Sequence, residues 1–206
     1  MAKKIDLKKL KSRSLNEIDT CIIRVQDSVA AGGHYTLIRW MSAMTAVQLH
    51  SVWERYAEWR LVAALNHNAK HFIAEEGIVG VSHVSSGLAS FIVRGGNRYF
   101  DFRSMSDLIA KSDRWLGRAE NPFRNLDKVD SSYIDALASV RNAVVHGSDA
   151  AKRTYCYHLN KVYGIKFAPT PEEFLNAKDN RAGSPSRYQP RLTGFSVVVK
   201  KAIQLC

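Results

Sequence analysis

Cysteine is scarce in this chain. Cys21, Cys156 and Cys206 lie far apart and form no C-x-x-C pair, which argues against both a disulfide framework and a zinc ribbon. The lysine-rich start lacks the apolar stretch of a signal peptide, and an odd cysteine count without such a leader fits a reducing compartment. A cytoplasmic location is therefore expected. No window approaches the roughly 18–20 apolar residues that a membrane span needs, so no membrane association is expected. Four of the 5 prolines fall between 167 and 194, which leaves long stretches free to be helical. Acidic residues are the other shortage. Nineteen Asp and Glu stand against 30 Lys and Arg, a formal charge of +11. Such a surface attracts polyanions over about 8–10 Å at physiological salt. Nucleic acid is the commonest partner of that kind and anionic membrane the second, while charge that merely keeps the protein soluble is the alternative. With 46% hydrophobic and 24% charged residues, wholesale disorder is excluded.

The 206 residues suit one well-buried core, and the expectation is a single all-α domain over 1–206. Residues 1–13 carry six basic side chains against Asp6 alone and read as a basic N-terminal arm. From Ser14 to Ala31 apolar residues recur at helical spacing, with Ser14 and Glu17 in capping-box register. Gly32-Gly33 ends that helix. Tyr35 to Asn66 contains no Gly or Pro and is apolar over most of its circumference, the pattern of a central spine. Ser51, Glu54 and Glu58 share one face of it, and carboxylates on a core helix usually face a cation. Phe91 to Arg94 and Arg98 to Phe102 flank Gly95-Gly96-Asn97, which predicts a small β-hairpin insertion over 91–102. Helices are predicted over Ser104–Leu116, Asp130–His146, from Ser148 or Asp149 to Tyr163, over Pro171–Lys178 and over Gly194–Leu205. The remainder of 167–194 reads as an irregular Pro-rich stretch.

The helix ending at His146 carries the chemistry. At about 100° per residue with Ile134 as origin, Tyr133, Ile134, Leu137, Ala138, Val140, Val144 and Val145 fall in one apolar arc. Asp135, Ser139, Asn142 and His146 form a separate polar stripe. Arg141 lies at about 340°, inside the apolar arc, and about 140° from His146. An unpaired buried guanidinium costs several kcal/mol, so Arg141 must find a partner or face an interface. Bringing it to His146 requires either the long Arg side chain reaching round or a second copy of the helix related by a two-fold axis. Cleaving RNA without a metal needs a base for the 2′-OH, an acid for the 5′-oxygen and a cation for the charged transition state. Histidine suits both proton transfers near neutral pH, and arginine forks onto phosphate oxygens. Asn142 is suited to orienting the imidazole or binding a phosphate oxygen. A core Arg and a C-terminal His complementing the helix dipole would produce the same short pattern.

The run Ser139-Val140-Arg141-Asn142-Ala143-Val144-Val145-His146-Gly147 resembles the signature of HEPN domains, the "higher eukaryotes and prokaryotes nucleotide-binding" superfamily. Those are small helical bundles whose catalytic members carry R-x(4–6)-H, often with a polar residue directly after the Arg. Val52-Trp53-Glu54-Arg55-Tyr56 resembles the acidic-aromatic patch preceding the signature in the subfamily named for association with RNA ligase-like phosphoesterases. The resemblance covers about residues 37–66 and 130–165. It implies a HEPN-like helical bundle and a homodimer with the RNase site at the interface of two signature helices. It also implies toxin or phage-defence activity leaving 2′,3′-cyclic phosphate ends. Arg141 and His146 are then catalytic, Asn142 supports them, and Glu54 is a partner for Arg141, although Glu58 serves as well by spacing. The partners implied are RNA, a second copy, and an antitoxin or defence-system protein. The alternative is a non-catalytic HEPN module that binds RNA, nucleotide or a partner protein.

Other constellations carry less. His67, His71 and Glu75 are spaced as ligands on one helix face, but a solvated helix end is the better reading, and neither metal nor cofactor is expected. Arg94, Arg98 and Arg103 interleave with Phe91, Tyr99, Phe100 and Phe102, which suits RNA binding or simple packing of aromatics. Gly77, Gly80 and Gly87 form no phosphate-binding fingerprint.

Overall fold

The computed structural model describes residues 4–206, and about these the chain forms nine α-helices and no β-strand. The first, α1 (Leu7–Ala30), begins a full two turns before Ser14. Its cap is Asp6, whose carboxylate accepts the Lys9 N–H at 3.0 Å. Ser14 is buried inside the helix and Glu17 turns to Arg55 and Gln48, so no capping box forms there. The described part of the basic arm is thus mainly helical, and Met1, Ala2 and Lys3 lie outside the described residues.

The spine is α2 (Tyr35–His67). Its middle is buried around most of its girth through Leu49, Val52, Trp53, Tyr56, Ala57 and Leu61, and it packs against α1 and five later helices. Trp53 meets Phe123 edge-on at 6.0 Å, a favoured aromatic geometry. Its opening turns differ from the expectation of an all-round core helix, because Tyr35, Leu37 and Trp40 remain exposed. A short α3 (Lys70–Glu75) follows a break at Asn68.

No hairpin forms over 91–102. Ser85 caps α4 (Ser86–Arg94), whose Ala89 and Val93 are buried in the core, and Gly95 ends it at φ 58°. The glycine pair that signals a turn serves here as a helix C-cap, which needs the same left-handed backbone. Docking on α2 overrides the β-preference of Phe91-Ile92-Val93. Beyond Gly95 the chain runs irregularly, with Phe100 packed on Phe102 and Trp115.

Ser104 then caps α5 (Met105–Leu116). A 3₁₀ turn at Pro122–Asn125, capped by Asn121, leads into α6 (Lys128–His146). Next come α7 (Asp149–Tyr163), capped by Ser148, α8 (Pro171–Asn176), with a full Thr170/Glu173 capping box, and α9 (Arg191–Leu205).

The Pro-rich stretch is pinned despite its irregular backbone. Asp179 is 2% exposed. Arg181 donates Nε at 2.8 Å and Nη2 at 2.6 Å to its carboxylate, donates Nη1 to the Val162 carbonyl, and lies over the Tyr163 ring at 4.1 Å. Burial alone raises the Asp179 carboxyl, but the Arg181 fork, the Ser184 hydroxyl and the Arg181 N–H outweigh it and hold it at about 2, below its ordinary 3.8. A carboxyl depressed in the folded state adds stability above its unfolded value and loses it on acidification through the folded one. Asp179 therefore contributes fully above about pH 4 and progressively less toward pH 2. Asp179→Asn should lower the melting temperature at pH 7, and the gap between variant and parent should shrink as the pH falls toward 2. A gap independent of pH would exclude this role.

Candidate active site

The helix α6 is fixed at both ends by local chemistry. The Asp127 carboxylate accepts the Asp130 N–H at 2.7 Å, and Gly147 closes the helix at φ 57°, a conformation costly for a residue with a Cβ. Its buried residues are Asp130, Tyr133, Ile134, Ala136, Leu137, Ser139 and Val140. That set is rotated from the apolar arc read in the sequence. The small Ala136 and Ser139 admit close neighbours, and the Ser139 hydroxyl is satisfied by donating to the Ala136 carbonyl at 2.7 Å. Val145, inside the apolar arc, is 50% exposed. The rotation moves Arg141 from the middle of a core face to the edge of an open one.

Arg141 and His146 consequently meet within a single chain. The Arg141 side chain reaches round the last turn and a half of α6. Its Nη1 donates to the Asn142 Oδ1 at 2.8 Å and lies 3.3 Å from the His146 Nε2. The reaching arginine, one of the two routes the wheel left open, is seen within the single chain. Guanidinium can only donate, so this contact is a hydrogen bond in the tautomer that carries its proton on Nδ1 and its lone pair on Nε2. Arg141 and Asn142 are half-buried and His146 is exposed. The Arg141 Nε is buried and makes no hydrogen bond.

The acidic residues on α2 divide their roles. Glu58 pairs with Arg94 at 2.6 Å. Glu54 stands 3.4 Å from the His50 Nδ1, a contact too poorly aligned to satisfy that nitrogen. Burial works to raise the Glu54 carboxyl, but His50 and the more distant charge of Arg141 together lower it. Glu58 is thus engaged by Arg94, while Glu54 feels the charge of Arg141 without a direct contact.

Sequence reasoning missed what lies beneath this face. His50 is 6% exposed. Asp135 accepts the Met105 N–H at 2.7 Å, at the N-terminus of α5. Burial raises the Asp135 carboxyl against that hydrogen bond and the charges of His158, Lys161 and His50. Burial also lowers His158, against the pull of Asp135. Both shifts favour neutral forms. The i, i+4 spacing of His50 and Glu54 was the available signal, and it identifies a pair without revealing the crossing with α6.

Of the remaining sequence candidates, Arg94 and Arg103 line one cleft with Tyr99 and Phe100. Arg94 is engaged by Glu58, Arg98 lies over its neighbour Tyr99 at 5.3 Å, and Arg103 is exposed. His67 ends α2 and contacts the Ile5 carbonyl at 2.9 Å, while His71 on α3 packs against Gly117. The supposed continuous face of His67, His71 and Glu75 is interrupted at Asn68.

An imidazole beside a guanidinium and an amide oxygen can exchange a proton next to a bound anion. The hydrogen bond fixes an observable. Long-range ¹⁵N–¹H spectra should show the Nδ1–H tautomer for neutral His146, reverting in Arg141→Leu to the Nε2–H form that free imidazole prefers. Identical tautomers in the two proteins would exclude the bond. No protein-family model, no curated protein and no solved structure matches this chain.

Proposed function

We propose that the chain is a metal-independent endoribonuclease of HEPN type, acting as a toxin or phage-defence effector. The observation that carries this reading is the convergence of Arg141, Asn142 and His146 on one partly open helix end, with the imidazole Nε2 lone pair held at 3.3 Å from the guanidinium. The formal charge of +11 supports a polyanionic substrate, and the R-N-x-x-x-H run resembles the HEPN signature.

The chemistry follows from the groups. An RNA phosphate draws the Arg141 guanidinium onto its oxygens and leaves Nε2 free. The imidazole then takes the 2′-OH proton, the 2′-oxygen attacks phosphorus, and the phosphorus–O5′ bond breaks as the 5′-oxygen receives a proton. The products are a 2′,3′-cyclic phosphate and a 5′-OH end. Arg141 stabilises the negative charge that accumulates on the non-bridging phosphoryl oxygens. One histidine cannot serve as base and acid in the same step, so the acid is His146 of a second copy, and the active form is a homodimer. Val145, half-exposed on the same helix end, offers an apolar contact for that pairing. A second reading has its own support. The Arg141–His146 bond occupies the prospective base, as in a non-catalytic module that binds RNA, nucleotide or a partner protein.

Incubation of total RNA with purified protein in excess EDTA should yield cyclic-phosphate ends. His146→Ala should reduce cleavage by about 10²-fold or more, and Arg141→Ala by about 10²–10³-fold, with the sedimentation of the dimer unchanged. Undiminished cleavage by His146→Ala would sink the proposal. RNA binding without products from the parent would favour the binding module.

A further inference from the structure

A cleft lies where α1 and α4 meet α2. It has a cavity volume of about 440 Å³ between α1, α2 and the first turn of α4, within the roughly 300–1,000 Å³ range of small-ligand sites. Ile5 and Leu10 line it with apolar surface, Trp59 presents an indole that is 38% exposed, and Lys4, Lys9 and Arg13 supply cations. The two carboxylates in the cleft are already committed. Glu17 accepts both contacts of Arg55, at 2.7 and 2.6 Å, and the Gln48 amide at 2.7 Å. Asp6 caps α1 through the Lys9 N–H. Among the described residues, the side chains of Lys4, Lys9 and Arg13 form no ion pair. Three cations without an ion pair among the described residues therefore line the same cleft as a partly exposed aromatic face.

That combination fits one ligand chemistry. An aromatic plane takes the face of a nucleobase, and cations spaced along a helix take the phosphates on either side. Lys9 and Arg13 are four residues apart on α1, on one face. A duplex keeps its base faces stacked inside, so only an unpaired base can lie on Trp59. The indole sits in a cleft between helices, and a flat lipid surface would meet the flanking helices first.

We infer that the α1–α2–α4 cleft is a single-stranded RNA subsite in which one base stacks on Trp59 and the adjoining phosphates contact Lys9 and Arg13. This deepens the ribonuclease reading, and rests on it, by assigning an unpaired substrate held away from the Arg141–His146 end.

The test uses the His146→Ala chain, so that the probe survives, and labelled 12-nucleotide oligouridylate and oligoadenylate followed by fluorescence anisotropy. Trp59→Ala should weaken binding about tenfold or more, and Trp59→Phe should restore most of it. Lys9→Ala with Arg13→Ala should reduce the magnitude of the log–log salt slope by about 1.4, the value for two single-strand phosphates. A perfectly paired RNA duplex should be insensitive to Trp59→Ala. Unchanged oligonucleotide affinity in Trp59→Ala, or no binding by the parent, would overturn the subsite. So would a Trp59-dependent affinity confined to anionic vesicles. Cleavage by wild type alongside a Trp59-insensitive affinity removes the subsite and leaves the activity standing. Trp59-dependent binding with no cleavage by any preparation does the reverse.

Discussion

Nearly every element of this protein takes its position from the burial of α2. A 33-residue helix without glycine or proline is stiff over about 50 Å, and its central side chains cannot be covered by a single neighbour. Trp53, Tyr56, Ala57 and Leu61 are fully buried, which demands helices on several sides, and α1, α4, α6, α8 and α9 supply them. Burying a large apolar side chain contributes about 1.5–3 kcal/mol, so the spine orders its surroundings more strongly than any local propensity. The conversion of a β-prone segment into α4 is a direct consequence.

The same burial places charge deliberately close to the candidate site. Glu54 and Glu58 lie on the spine one turn apart, and their partners come from different elements. Arg94 at the end of α4 neutralises Glu58. Glu54 faces His50 and leaves its field available to Arg141. A carboxylate in direct contact with Arg141 would compete with phosphate for the guanidinium. One held behind a histidine can steady the cation and still leave its donors free for an oxyanion.

The outer face of α6 shows how small residues set function at a distance. Ala136 and Ser139 allow close packing along one side of the helix, which turns Val145 outward and brings Arg141 to the boundary of solvent. From there a flexible arginine spans the angle to His146 that the ideal wheel made too wide for a shared target. The cleft at Trp59 arises similarly, because extending α1 back to Leu7 lays lysines and arginine alongside the spine.

Local signals in the sequence were sufficient for most helix limits. The end of α6 at His146 and the start of α7 at Ser148 were legible, since a cap involves groups within a few residues of one another. The motif Arg141, Asn142 and His146 was legible for the same reason. The start of α1 was misplaced because Asp6 caps as well as Ser14 can, and only packing against α2 and α9 shows that the earlier turns hold. The hairpin failed because glycine in the left-handed region closes a helix as readily as it turns a strand. What the sequence determined by itself was the helical class, the basic charge and the candidate run Arg141-Asn142 with His146 at one helix end. Tertiary structure alone decided which side of α6 is buried, which glutamate pairs with Arg94, and which cations, among the described residues, form no ion pair. Those outcomes depend on how helices distant in sequence cross, and side-chain periodicity specifies a face without specifying what covers it.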